Sequence, residues 1–307
     1  MKNNIPIFFS IDDNYLNYFL VTIESLKEHA NKENHYSFYV LYTNLSQKSR
    51  RLIKRYQDKN LEISFVDMSE SIKSLEGALC VRDYYTKTTY YRLFICDMFK
   101  DIDKALYLDS DICVLNDISK LYETELDNHI LAAAPDQSVQ LIKEFKTYVN
   151  RCLGLDHTTY FNAGILVMNF KKMRELNFSK KVIDLIDAYE FKVAQDQDIL
   201  NVLCAGDIKM ISTSWNQMPL GNKNNNPNII HYNLIYKPWK MNDVMYEEFF
   251  WKYAIKSGRI NQILEQKEEL FFDDMSRFES IMEGLKSMCM EEALSTRNYY
   301  NLVYAGR

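Results

Sequence analysis

Short apolar runs alternate along this chain with segments whose apolar residues recur at helical spacing, and that alternation restricts the fold more than any other feature. "IPIFFSI" reads as a strand, and "NYLNYFLVTIESLKEHA" follows with Leu16, Phe19, Leu20, Ile23 and Leu26 on one helical face. "YSFYVLYT" is a second strand, "QKSRRLIKRYQDK" a helix and "LEISFVDM" a third strand. A helix around "TTYYRLFICDMF" and the strand "KALYLD" complete this half. Strands joined by helices of this length pair in parallel, because a parallel neighbour needs a long crossover. Beyond about residue 125 the pattern becomes mixed. "HILAAAPD", "AGILVMNF", "IKMISTSW" and "NIIHYN" read as strands, with "SKKVIDLIDAYE" and "QDILNVLCAG" as helices. After about residue 245 the strands stop and the pattern is wholly helical. The expected architecture is α/β, a mixed sheet flanked by helices over residues 1–245, with a helical C-terminal tail over 246–307. With 307 residues, 47% of them hydrophobic, the chain has ample material for such a core.

Two acidic clusters interrupt this apolar framework. Asp12 and Asp13 follow the first strand, and Asp109 and Asp111 follow "ALYL" with only Ser110 between them. Ligands of open α/β sheets bind beyond the carboxyl ends of the strands, so both clusters are expected at one functional edge. Carboxylates this close repel each other, and burying one unpaired is costly. A divalent cation would compensate them, since carboxylate oxygens suit Mg²⁺ or Mn²⁺ while substrate phosphates complete the coordination. His231 ends the strand in "NIIHYNLIYKPWK" and adds an imidazole, which favours Mn²⁺. Lys237, six residues on, offers a point charge for phosphate. Two aspartates have ordinary structural readings as well: Asp13 as a helix-start residue and Asp198 as the N-cap of "ILNVLCAG".

The net charge of −5 gives no basic surface for nucleic acid. There is no apolar run near 18 residues, so no transmembrane helix is expected, and the N-terminus lacks the pattern of a signal peptide. Cys80, Cys96, Cys113, Cys152, Cys204 and Cys289 form no CxxC pair. They read as reduced, buried thiols of a cytoplasmic protein.

Six stretches occur together in order: "FFSIDDNYLNYFLVTIESL", "TTYYRL", "KALYLDSDICVLNDI", "YFNAGILVMNF", "QDQDILN" and "HYNLIYKPW". Through them the chain, over about residues 5 to 240, resembles glycosyltransferase family 8, the group containing glycogenin and bacterial galactosyl- and glucosyltransferases. The resemblance implies a Rossmann-like GT-A catalytic domain over 1–245. It implies a UDP-sugar donor (UDP-glucose or UDP-galactose), a Mn²⁺ requirement and hexosyl transfer with retention to a glycan, glycolipid or glycoprotein. Asp12, Asn14 and Tyr15 match the positions that hold uracil and ribose. Asp109 and Asp111 match the metal-binding pair, with His231 as the third ligand and Ser110 inside the donor-binding loop. Lys237 matches the phosphate-contacting lysine, and Arg92 an arginine beside donor sugar and phosphate. Asn162, Ala163, Asp196 and Gln197 match positions around the transferred sugar, with Gln197, Asp196 and Arg92 as the catalytic set.

In one place the chain departs from this pattern: Leu234 and Ile235 stand where better-known members have Gly-Pro, although a glycine there lets backbone approach phosphate. A metal-dependent nucleotidyltransferase, which also uses paired aspartates, and a non-catalytic sugar-nucleotide-binding protein are the alternative readings. The tail carries no motif. Its acidic residues (Glu247, Glu248, Glu265, Glu268, Glu269, Asp273, Asp274) oppose binding to an anionic membrane. Its aromatics (Phe249, Phe250, Trp251, Phe271, Phe272) call for burial against the catalytic domain or, by self-association, a second chain. Because every donor residue named above precedes it, truncation from about residue 260 is expected to leave donor binding nearly intact.

Overall fold

On β1 (Asn4–Ser10), Ile5, Ile7 and Phe9 face one way and Phe8 the other, and all four are buried. A strand covered on both faces belongs at the centre of a sheet flanked by helices. The computed structural model, which describes residues 3–72, 87–271 and 274–304, places it there. With β2 (His35–Tyr42), β3 (Leu61–Asp67), β4 (Lys104–Leu108), β6 (Leu131–Pro135), β7 (Phe161–Asn169) and β8 (Ile208–Met210), it forms a sheet of order β3-β2-β1-β4-β7-β6-β8. The strands from β3 to β4 are mutually parallel. β7 runs antiparallel to β4 and β6, and β8 is parallel to β6. β1, β4 and β6 therefore point the same way and end on one edge. A separate antiparallel pair joins β5 (Ile112–Val114) to β9 (Ile229–His231), with Ile112 opposite His231.

One apolar cluster covers each face of the sheet. Ile7, Phe9, Phe19, Ile23, Leu106 and Val167 belong to one, and Phe8, Tyr91, Tyr107, Leu166 and Phe170 to the other. Two expected elements come out shorter. The segment around "TTYYRLFICDMF" is a 3-10 helix, Lys87–Leu93, and a short α-helix, Ile95–Met98. "IKMISTSW" keeps only β8 as strand and then turns into the 3-10 helix Thr213–Asn216, where the Ser212 side chain caps the Ser214 N–H. Cys96, Cys113, Cys152, Cys204 and Cys289 are buried free thiols, and Cys80 lies outside the described residues.

The C-terminal segment forms helices Glu247–Lys256, Ile260–Phe271, Asp274–Leu294 and Tyr299–Tyr304. Phe250, Tyr253, Ala254 and Ile263 pack with Tyr18, Val21, Tyr232 and Trp239 in a third cluster, and Phe249 and Trp251 are half-buried beside it. The side chains of Glu269, Phe271, Phe272, Asp273 and Asp274 lie outside the described residues. Lys252 and Lys256 reach Glu28 on the first helix (Leu16–His29) at 2.6 and 2.8 Å. Met282, Leu285 and Cys289 join the larger sheet-face cluster with Phe145, Tyr148 and Cys152. No helix among the described residues is long and apolar enough to cross a membrane.

This packing on the catalytic domain is one of the two burials expected for the tail aromatics, and it gives truncation a cost in stability. Truncation from residue 260 strips Ile263, Met282, Leu285 and Cys289 from two cores, and buried aliphatic losses cost about 2–5 kcal/mol each. The truncated chain is expected to unfold at a lower urea midpoint and with a smaller m-value, since less surface remains to expose. An unchanged urea curve would show the tail to be energetically separate.

Candidate active site at the carboxyl edge of the sheet

The strand ends at β1, β4 and β6 converge on a cleft. Of the residues singled out in the sequence, Asp12, Tyr15, Arg92, Asp109, Ser110, Asp111, Asn162, Ala163, Asp196, Gln197, His231 and Lys237 all line it. Asn14 is exposed and outside the lining.

The acidic loop is built from backbone first. The Asp109 N–H donates to the Gly164 carbonyl at 2.7 Å, which ties the exit of β4 to β7. On the first helix, the buried Thr22 hydroxyl lies 3.0 and 2.9 Å from the carbonyls of Ser110 and Ile112, and Ser25 accepts from the Val114 N–H at 2.9 Å. These hydroxyls satisfy a turn that would otherwise bury unpaired polar groups. The β5–β9 pairing then delivers His231: the Tyr232 N–H donates to the Asp111 carbonyl at 3.0 Å. One ligand atom from each of Asp109, Asp111 and His231 lies within 4.8 Å of the others. His231 Nε2 is 3.6 Å from Asp109 Oδ2 and 3.3 Å from Asp111 Oδ1.

His231 Nδ1 is 2.9 Å from the Asn216 amide oxygen, which orients the ring so that Nε2 faces the carboxylates. Asn216 passes this order on by donating to Asn162 Oδ1 at 2.9 Å. The donor set, two hard carboxylates and an oriented imidazole, fits a divalent ion such as Mn²⁺ or Mg²⁺. The space fits as well, because a Cβ on Gly164 would sit 2.3 Å from His231 Cε1 and 2.7 Å from Asp109 Oδ2.

Cations already brace these carboxylates. Lys237, 2% exposed, places Nζ 2.5 Å from Asp111 Oδ2 and 2.7 Å from the Tyr232 carbonyl. Burial works to raise the pKa of Asp111, but Lys237 and His231 overcome it and hold the carboxyl far below its usual range. The buried Arg92 reaches Asp109 at 3.0 Å and Asp196 at 3.1 Å, donates to the Ala163 carbonyl and stacks 4.2 Å above the Tyr107 ring. Burial opposes its charge, yet Asp109, Tyr107 and Asp196 keep it firmly protonated. Asp196 feels burial more strongly than the arginine, and its pKa is pushed up to about 6.

Beside this charged half lies an amide network. Gln197 donates to Asp136 Oδ2 at 3.0 Å and to the Tyr160 hydroxyl at 3.3 Å, and accepts from Asn162 Nδ2 and the Ala163 N–H at 3.1 Å each. Both its N–H donors and its oxygen are thus committed to protein groups. Asp136, Asn216, Tyr148, Tyr160 and Gly164 were not singled out from the sequence. Asp136 was within reach of the strand-end rule, since it directly follows β6; nothing local marks Asn216.

Two of three local expectations are revised. Asp13 does stand in the first turn of the 3-10 helix Asp13–Tyr15, which Asp12 caps by accepting from the N–H groups of Asn14 and Tyr15 at 3.0 and 3.1 Å. The Asp13 carboxylate accepts from the Ser46 N–H and Ser49 hydroxyl at the start of the Gln47–Lys54 helix. Asp198 lies inside the Gln195–Leu203 helix and takes three hydrogen bonds, from Tyr148 at 2.8 Å, Tyr160 at 2.6 Å and the Ala194 N–H at 2.9 Å. Leu234, where the resemblance calls for glycine, adopts the left-handed φ of +51°. The loop keeps that geometry at a cost of about 1–2 kcal/mol for a residue with a Cβ.

A glycosyltransferase is the class that this fold and cleft define. The Glycosyl transferase family 8 profile matches residues 6–243, and the chain belongs to that family. A Haemophilus influenzae protein named as a glycosyltransferase is 31% identical over 220 residues, 71% of this chain, which spans 64% of that longer protein. The lipopolysaccharide 1,2-glucosyltransferase of Escherichia coli is 26% identical over 259 residues, 78% of this chain and 74% of that one. Among solved structures, the galactosyltransferase LgtC in complex with donor and acceptor sugar analogues superposes with a TM-score of 0.68 at 26% identity, covering 82% of this chain and 96% of that one.

Two predictions follow from this geometry. Gly164→Ala should retain a cooperative melt yet weaken Mn²⁺ binding, followed by calorimetry, at least tenfold, because the new methyl displaces His231 or Asp109; unaltered binding would refute the close fit. The second concerns Asp198, whose pKa burial pushes up to about 6. The folded state therefore binds this proton more tightly than the unfolded chain, and the carboxyl's contribution to stability falls as pH rises from about 4 to about 6. In urea titrations the stability of wild type relative to Asp198→Asn should decline across that window, and a flat difference would contradict it.

Proposed function

We propose that this chain is a retaining hexosyltransferase that uses UDP-glucose or UDP-galactose with Mn²⁺. The carrying observation is that one cleft unites a carboxylate–imidazole trio, two buried cations and a fixed amide network. Asp12 and Tyr15 suit the uridine end, the Asp109–Asp111–His231 trio with Lys237 the diphosphate, and Arg92, Asn162, Asp196 and Gln197 the sugar. The sugars named for the glucosyltransferase and galactosyltransferase relatives support this donor pair. Family membership favours glycosyl transfer over nucleotidyl transfer.

Breaking the bond at the anomeric carbon leaves negative charge on the diphosphate and positive charge on the sugar. Asp109, Asp111 and His231 would hold the divalent ion, which supplies Lewis-acid stabilisation of the leaving group. Lys237 adds a fixed cation there, and Arg92 is prevented from swinging by its two carboxylates, so neither reorganises during reaction. Gln197 is a neutral amide with every hydrogen-bonding position engaged, a poor nucleophile. That supports same-face attack by the acceptor hydroxyl, with the departing phosphate oxygen taking its proton, over a covalent glycosyl-enzyme route. The acceptor is a glycan, glycolipid or glycoprotein hydroxyl.

UDP with Mn²⁺ should raise the melting temperature by several degrees, since ligand at about 100 times its Kd stabilises by about 2.7 kcal/mol. GDP and ADP should act far more weakly. Asp109→Ala and Asp111→Ala should lose Mn²⁺-stimulated release of UDP from UDP-glucose and UDP-galactose by at least a hundredfold while still folding. Equal shifts from all three nucleotides would defeat the uridine assignment, and undiminished turnover in either variant the metal assignment.

A further inference from the structure

Asp109 and Asp111 bring two negative charges to the cation trio, and the chain itself already sets two positive charges on them. Arg92 is 3.0 Å from Asp109 Oδ1, and Lys237 is 2.5 Å from Asp111 Oδ2. The two cations are not equivalent. Arg92 is shared with Asp196 and the Ala163 carbonyl and belongs to the sugar side. Lys237 has Asp111 as its carboxylate partner: of its three N–H donors, one goes to that carboxylate and one to the Tyr232 carbonyl, which leaves a third without a hydrogen bond to the described residues in the cleft wall, where Nζ lies 5.3 Å from the centroid of the Trp239 ring and 6.0 Å from that of Tyr15. Both Lys237 and Asp111 are buried, so their attraction is weakly screened, and so is the repulsion between Lys237 and any ion beside Asp111 Oδ1.

We infer that Lys237 is the resident counter-cation of this site and sets an order on loading: the divalent ion binds weakly alone and tightly only together with a diphosphate that takes up the third N–H of Lys237. The inference rests on the proposed reading of the cleft as a metal–diphosphate site, and it adds a role for Lys237 beyond phosphate contact. Without any ion, the ammonium keeps Asp111 charged and its Oδ2 occupied, so that Oδ1 alone is presented beside His231. When an ion arrives without nucleotide, its two positive charges meet a carboxylate that is already neutralised. A diphosphate reverses the balance by drawing the ammonium's charge to itself and freeing the carboxylate's field for the ion. Metal and nucleotide thereby become positively coupled, and that coupling must be reciprocal.

Mn²⁺ binding to the full chain, read by electron paramagnetic resonance or calorimetry with and without UDP, tests this without measuring turnover. Lys237→Met should bind Mn²⁺ alone about tenfold more tightly than wild type, the scale expected for removing a unit charge a few ångströms from a divalent ion. In the same variant, the enhancement of Mn²⁺ affinity by UDP should shrink by at least tenfold. Lys237→Arg, which keeps the charge, should stay near wild type in Mn²⁺ binding without nucleotide. Lys237→Gln, which can still donate to the Tyr232 carbonyl, should follow the methionine variant; with the arginine variant it decides the matter if the methionine variant fails to fold. Weaker or unchanged Mn²⁺ binding in the neutral variants would overturn the inference, showing Lys237 to be only a scaffold for Asp111. Absence of any UDP effect on wild type would instead overturn the nucleotide reading, while the Mn²⁺-only comparison still judges the lysine.

Discussion

Asp111 is a buried carboxylate in an apolar segment, and the rest of the site is arranged around the need to compensate it. An uncompensated charge at that depth would cost more than the stability of a typical domain can absorb. Compensation comes from more than a hundred residues away in sequence. The β5–β9 pairing sets Ile112 opposite His231, and the turn after His231 returns Lys237 to the same carboxylate. Trp239, stacked on Tyr18 at a centroid distance of 4.1 Å, anchors the segment that follows. The acidic loop and the His-to-Lys segment therefore fold as one unit.

Around that unit the remaining polar groups leave little freedom. Arg92 ties the Asp109 loop to the helix that carries Asp196, and Asn216 and Asn162 connect the imidazole to the amides beside Gln197. Arg92, Asn162, Gln197 and His231 are each held by a partner which is itself held, a condition for electrostatic preorganisation. The same constraint explains two backbone details. Gly164 lacks a side chain because His231 and Asp109 occupy that space, and Leu234 accepts a left-handed φ because the turn must return Lys237 to Asp111.

The C-terminal helices belong to this system and are not an appendage. Leu285 and Cys289 contribute to the cleft wall and to the sheet-face core at once. Tyr148, which hydrogen-bonds Asp198, belongs to the same core cluster. That wall of the cleft is thereby coupled in stability to elements that carry no recognisable motif.

Much of this was legible in the residues. The strand–helix alternation determined a largely parallel half-sheet, because crossover length admits few other arrangements, and the strand-end rule placed Asp12, Asp109 and Asp111 on one edge. The six ordered motifs supplied the family, and with it the grouping of Arg92, Asn162, Asp196, Gln197, His231 and Lys237 in one cleft. What the sequence leaves open is pairing at a distance. Aspartates look alike locally, so which of Asp12 and Asp13 caps its own turn and which braces another helix depends on where Ser46 and Ser49 arrive. Asp198 was indistinguishable from an N-cap until Tyr148 and Tyr160 were brought against it. Asn216 stands in an unremarkable turn, and its function as the imidazole's partner exists only because β9 passes beside it. Local pattern determines which elements form and which edge is functional, since those depend on periodicity and chain direction. The tertiary structure decides which charge meets which, since buried electrostatics depend on distances of a few ångströms between residues that the chain keeps far apart.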